Sequence, residues 1–287
     1  MVSPNDTCFH PSSFMLLGIP GLEHLHIWIS IPFCSVFLTA IIGNYTVVLI
    51  IVKDVRLHQP MYIYFIVLGF VDLILANSTM PKLFGIFWFQ QNEIAFSACL
   101  LQMFFVHAFS TIESRIFLAM AFDRYAAICN PLRYSATVTS SFIIKSGVLS
   151  VLRGVTYILP LPLLLIRFHL YTSNVIVHSY CEHMAVVRLI CADISFNDHV
   201  GMAVGFLVLV MDTVFITFSY VMILRALLRL TAKARMKSFG TCVSHICAIL
   251  CFYTPILCSS LVHRFGTNVP HHTHILLADF YLLMPQC

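Results

Sequence analysis

Long apolar runs, separated by short polar segments, organise the chain. Six are complete, near 27–52, 61–86, 98–123, 142–165, 199–224 and 239–262, and a seventh starts near His272. Each complete run exceeds the roughly 18 residues that mark a membrane helix, because about 20 residues at 1.5 Å rise cross a hydrocarbon core of ~30 Å. The pattern predicts an all-α membrane protein, a seven-transmembrane helix bundle with an incomplete seventh helix. Residues 272–287 number sixteen and reach only about 24 Å as a helix. On this division 1–26 is a polar N-terminal tail, 27–287 the transmembrane domain, and 166–198 a long loop between spans four and five.

Composition agrees with the pattern. The 287 residues are 60% hydrophobic and only 10% charged, where soluble domains carry about 25% charged residues. The length allows one bundle, and no repeat or low-complexity linker divides it. The start lacks the basic segment and apolar core of a signal peptide, so span one is expected to direct insertion. The loops after spans one, three and five hold ten Lys and Arg, and the opposite loops hold four. Positive charge stays on the cytosolic side, so the N-terminus is expected outside. The net charge of +4 follows from this asymmetry and implies no nucleic-acid partner. Asn5 opens a glycosylation sequon, usable only on an extracellular tail.

Polar residues inside the spans narrow the chemistry. Asp72 in span two and Glu113 in span three are carboxylates in apolar surroundings. Each costs roughly 2.5–3.5 kcal/mol at mid-bilayer and should face the interior and a partner. The pair suits a sodium ion, or one shared proton, and Asn44 in span one is placed to join it. Cys242, Cys247, Cys251 and Cys258 share one apolar span and read as packing residues. No nucleophile–base pair, phosphate loop or HExxH motif appears, so nothing points to an enzyme. No inverted repeat or charged pore lining points to a transporter or channel.

Met120 to Tyr134, MAFDRYAAICNPLRY, resembles the inner end of the third helix of odorant receptors, a branch of the rhodopsin-like G-protein-coupled receptors. HQPMYIYFIVLGFVDL around Asp72 is similar to their second helix. HRFG at 263–266, PHHTHILLADFYLL and SNVIVHSYCEHMAVVRLICADI resemble the class I, fish-like branch. The resemblance implies a cell-membrane receptor for small odorants, carboxylic acids among them, that activates a stimulatory olfactory G protein. It implies a switch at Asp123, Arg124 and Tyr125, with His245 opposing Arg124 and Tyr220 replacing Asp123 in the active state. It favours sodium at Asp72 and Glu113, with no other metal or cofactor. The His271, His272 and His274 cluster matches the usual entry to the seventh helix rather than a metal site.

Two further expectations rest on the same resemblance. Cys99 and Cys181 should form a disulfide that pins the long loop over the bundle mouth. The family carries another loop cysteine ten residues before Cys181, where this chain has Tyr171, so Cys191 is expected to be free; a bond to Cys8 is the weaker alternative. In the ligand site Arg264 is the expected carboxylate anchor, against a rival reading as a solvated charge paired with Glu182 or a lipid headgroup. Ser260 lies one turn deeper. His107 is a further polar contact, Met184 part of the lid, and Phe104, Val204, Phe252 and Tyr253 the apolar wall. The family continues through an Asn-Pro-x-x-Tyr motif, whereas this sequence ends Pro285-Gln286-Cys287. The alternative expectation is therefore a truncated, non-signalling membrane product of a disrupted receptor gene, retained in the endoplasmic reticulum.

Overall fold

Backbone amides have no water to bond in hydrocarbon, so each apolar run folds as a helix that satisfies its own hydrogen bonds. A computed structural model of the chain describes residues 8–168, 170–229, 231–265, 275–276 and 279, without the side chains of 233, 234, 237 and 259–265. Its helices are α1 His26–Lys53, α2 Pro60–Phe89, α3 Phe96–Cys129, the short α4 Tyr134–Thr137, α5 Ser140–Ile158, α6 Pro160–Arg167, the short α7 His183–Val187, α8 Ser195–Leu227 and α9 Ala232–Phe265. Six stretches are long and apolar enough to cross a membrane, and α5 with α6 makes the fourth. Pro160 has no N–H to continue the ladder, and the helix is interrupted at Leu159.

All six complete spans were expected, but most are longer than their apolar runs. Helix α3 continues through Asp123 and Arg124 to Cys129, and α9 begins seven residues before its apolar run. Polar first and last turns are helical without being apolar, so hydropathy omits them. The expected seventh helix lies almost wholly outside the described residues; Ile275, Leu276 and Asp279 are helical, and Ile275 packs into the core.

Helix α3 is the axis of the bundle. It buries residues around most of its circumference, and α2, α5 and α8 pack against it. Helix α1 is peripheral and turns Ile27, Ile31, Ile42 and Ile50 outward. Such exposure would be a liability in water, and it is the surface that lipid requires.

Part of the N-terminal tail joins a sheet. Strand β1 (Ser13–Leu16) pairs antiparallel with β2 (Glu93–Ala95) and parallel with β3 (Val175–Ile176). Alternation in SFML turns Phe14 and Leu16 inward, and both are fully buried. This three-stranded sheet covers one end of the bundle, called the sheet end below. Arg124 lies near the other end.

Two disulfides fix the sheet end. Cys99–Cys181 forms as expected, with Cα atoms 5.5 Å apart. Cys191 is not free: it is bonded to Cys8, with Cα atoms 6.1 Å apart. Tyr171 explains the correction. Its backbone bridges Phe9 on one side and Ile190 on the other, which brings the neighbouring Cys8 and Cys191 together. Its ring is fully buried, edge-on to Phe14 and Phe96 at 5.6 and 5.9 Å. Tyr171 thus aligns Cys8 of the N-terminal segment with Cys191.

Digestion of the unreduced protein should release a Cys8–Cys191 linked peptide, read by mass spectrometry. Cys8→Ser should lower stability by roughly 2–4 kcal/mol, the usual range for a native bridge. An unchanged unfolding midpoint would mean that the strand pairing alone holds the segment.

Candidate functional site

Beneath the long loop is a cavity of about 760 Å³ bounded by α3, α6, α7, α8 and α9. That size lies within the usual range for small-molecule pockets, roughly 300–1,000 Å³. The loop is held over it by three means. Cys181 is bonded to Cys99 on α3. The Cys181 N–H donates to Gln102 Oε1 at 3.0 Å, while Gln102 Nε2 donates to the Ser78 carbonyl at 2.9 Å. Ser179 donates to the buried Asp279 carboxylate. Glu182 caps α7 by accepting the Ala185 N–H at 2.7 Å. Burial nonetheless pushes the Glu182 carboxyl up, against these backbone N–H groups that lower it.

Of the expected ligand residues, His107, Met184, Val204 and Phe252 line the cavity. Phe104 does not; it packs beside Ala108, Ile158 and Leu161. Tyr253 is also absent from the lining, because its hydroxyl turns to Ser114 at 2.7 Å. Ser260 and Arg264 lie in the last turns of α9, with side chains outside the described residues, and Asn5 lies outside them entirely. His183, Ser110, Thr111 and Ser114 line the cavity without having been foreseen.

Behind Ser114 of the cavity wall lies a charged network. Arg153 on α5 donates to both Asp212 oxygens on α8, at 2.7 and 2.8 Å. Ser114 on α3 donates to Asp212 Oδ2 at 2.6 Å and meets the Tyr253 hydroxyl of α9. One network therefore joins α3, α5, α8 and α9. A signal for it existed: Arg153 and Asp212 are charges inside apolar spans, and each required a partner.

Beyond this network, aromatic rings continue toward Arg124. Phe252 meets Phe117 at 5.3 Å, and Phe117 meets His245 at 6.0 Å. His245 Nδ1 bonds the Tyr220 hydroxyl at 2.5 Å. The expected switch residues thus converge, but Tyr220 and His245 are partners of each other here. Arg124 pairs with Asp123 at 3.6 Å, and Tyr134 of α4 donates to Asp123 at 2.8 Å. Tyr125 packs on Phe122. Beside them Leu132 is 98% exposed. Neither Tyr134 nor Leu132 was singled out from the sequence.

On the other flank of α3, Asp72 and Glu113 are both buried and within electrostatic reach, and Asn44 hydrogen-bonds Asp72. Asp72 Oδ1 and Glu113 Oε1 have no hydrogen-bond partner among the described residues. No group of three or more His, Cys, Asp or Glu able to hold a metal occurs among those residues.

Residues 33–287 match the sequence profile of the family described as olfactory receptor. Olfactory receptors 52K2 and 52K1 of Homo sapiens are each 54% identical to the chain over 286 residues, 99% of this chain and 91% of theirs. Olfactory receptor 51E2 of Rattus norvegicus is 47% identical over 278 residues, covering 96% and 87%. The crystal structure of squid rhodopsin superposes with a TM-score of 0.73 at 17% identity, over 93% of this chain and 76% of that one. That likeness is one of fold.

Truncating one member of the charged pair should cost more than removing both. Asp212→Ala leaves the Arg153 guanidinium buried without its carboxylate, a loss of roughly 3–5 kcal/mol in comparable buried pairs. Arg153→Met with Asp212→Leu should recover much of that stability. Thermal unfolding of purified single and double variants measures both; a double variant worse than Asp212→Ala would contradict the pairing.

Proposed function

The chain belongs to the class I branch of the olfactory receptor family, and from that premise we propose that it binds oxygen-bearing odorants, carboxylic acids first among them, and activates a stimulatory olfactory G protein. Membership makes it a multi-pass membrane receptor, not an enzyme, with small-molecule ligands and G-protein coupling. The observation that carries the finer reading is the cavity: about 760 Å³, mixed in polarity, closed by a stapled loop, and joined to Arg124 by one helix.

The sheet end faces outside in this reading. Its two disulfides suit an oxidising compartment, and the excess of basic residues lies at the other end. Arg264 belongs to the end of α9, two turns beyond Ile256 of the cavity lining, and in this reading it anchors the acid, because a guanidinium fork matches a carboxylate. Ser260, one turn earlier, adds a hydroxyl.

Signalling needs a second arrangement of the Arg124 end. Arg124 leaves Asp123 and meets Tyr220, which gives up His245. Arg124 already lies within electrostatic reach of both. In this reading Leu132, exposed beside the Arg124 cluster, is the apolar contact offered to the G protein. Asp72, Glu113 and Asn44 hold a sodium ion in the resting state. The fit rests on two carboxylate oxygens buried without partners, and hard oxygen ligands suit a hard cation. The ion would offset one of the two negative charges, and a proton on one carboxyl would remove the other.

Cells expressing the chain, read by odorant-dependent cyclic AMP, test the proposal. Arg264→Ala should weaken hexanoic acid at least roughly 10-fold more than hexanol or methyl hexanoate, the difference expected for one charge-assisted bond. Equal losses for all three would remove Arg264 as the anchor. Leu132→Asp should reduce the maximal response without moving the acid concentration for half-response more than about 3-fold, one expected consequence of separating binding from coupling.

A further inference from the structure

The acid reading leaves two imidazoles of the cavity unexplained as a pair. His107 stands on α3. His183 opens α7, two residues after Cys181, and is only 5% exposed. Both line the cavity. His107 Nε2 is buried without a hydrogen-bond partner among the described residues. An unpaired buried polar group forfeits roughly 1–3 kcal/mol, which a ligand atom can restore.

Placement of the His183 ring depends on a glycine. A Cβ built on Gly201 of α8 would lie 2.9 Å from His183 Cε1 and 3.2 Å from Nδ1. Glycine at 201 therefore leaves the volume that the imidazole fills. The ring is set between α7 and α8, on the cavity wall shared with His107.

The charge of the wall selects the ligand chemistry. Burial, and next the nearby His107, push His183 down to about 3, so its ring is neutral at physiological pH. A neutral imidazole offers one N–H donor and one acceptor nitrogen. Glu182, Asp198 and Arg188 line the same cavity, and Arg188 lies within electrostatic reach of Glu182. A ligand carboxylate set against the neutral rings would be a third anion beside one cation that already faces Glu182, which is costly. A hydroxyl, ketone or ester oxygen avoids that cost and pairs with an imidazole.

We propose that His107 and His183 form a second polar subsite of the cavity, one that holds an uncharged oxygen function of the odorant. The proposal rests on the odorant-binding reading and is independent of Arg264. It gives the cavity two recognition elements: a cationic anchor for acids, and a neutral imidazole pair for alcohols, ketones and esters. A ligand with both functions, such as a hydroxy or keto acid, engages both.

Binding to the purified full chain in nanodiscs, followed by ligand-dependent thermal unfolding, tests the subsite without requiring signalling. The probes are heptan-2-one, heptan-2-ol, methyl hexanoate, heptane and heptanoic acid. The unaltered protein should bind the three neutral oxygenated probes more tightly than heptane. His183→Phe and His107→Phe should each weaken those three by about 5- to 10-fold, the loss of one neutral hydrogen bond, and leave heptane unchanged. His183→Gln keeps a donor and an acceptor and should recover part of the loss. Gly201→Ala should reproduce the loss by displacing the ring instead of deleting it. Unliganded unfolding of each variant confirms that it is folded. Undiminished binding of the oxygenated probes by both Phe variants would overturn the subsite, as would no preference over heptane in the unaltered protein. Heptanoic acid separates the readings. If it binds while the subsite fails, odorant binding stands; if none of the five binds, both fall.

Discussion

A charge buried in hydrocarbon must be paired, and the Arg153–Asp212 pair sets the arrangement of the bundle beside the cavity. Asp212 accepts from Arg153 on α5 and Ser114 on α3, and Ser114 reaches Tyr253 on α9. Helices packed only by apolar side chains gain little from one registry over another, because lipid is as apolar as their neighbours. A guanidinium bonding both oxygens of one carboxylate is sensitive to register and rotation. The network therefore fixes α5 and α8 relative to α3 behind the cavity wall at Ser114. Ser114 belongs to both the network and the cavity wall, so a ligand that displaces it also disturbs the contact with Tyr253.

The geometry beyond the network supplies parts that a two-state receptor requires. Phe252 lines the cavity and packs on Phe117, which packs on His245, the partner of Tyr220. Arg124, Asp123 and Tyr134 form a neighbouring cluster. Adjacency alone is not coupling; coupling requires an element with two discrete arrangements that both sites bias. Tyr220 is the element proposed for that role. Its hydroxyl is committed to His245 here, and it can turn toward Arg124 only by breaking that bond. A movement of Phe252 reaches His245 through one intervening ring.

Legibility from sequence followed the range of the determining interactions. Apolar runs long enough to cross a membrane specify helices locally, so all six complete spans were readable. Cys99–Cys181, the Asp72 and Glu113 pair and the residues around Arg124 were readable through family resemblance. Arg153, Asp212 and Ser114 were missed although the charges were visible, because pairing across 59 residues depends on how three helices rotate. His183 gave no signal of its own, since its position depends on the absence of a Cβ at Gly201. Phe104 and Tyr253 were expected in the apolar wall, but rotation by a fraction of a turn decides which side chains line a cavity. Leu132 looks like an ordinary loop residue until its exposure beside Tyr134 and Asp123 is known.

The sheet end shows how one residue organises a larger unit. With Tyr at 171, a staple internal to the loop is unavailable, and Cys191 needs another partner. Tyr171 instead contributes a backbone that pairs with Phe9 and Ile190, and a ring that fills the space against Phe14 and Phe96. Those contacts draw the N-terminal segment into the sheet. The closed path then runs from β1 through Cys8 to Cys191, rather than within the loop. The segments above the cavity become one covalently linked body: β1 and β3 pair, Cys8 joins Cys191, and Cys181 joins α3. The lid therefore depends on residues preceding the first span, and the N-terminal segment is part of the cavity's support.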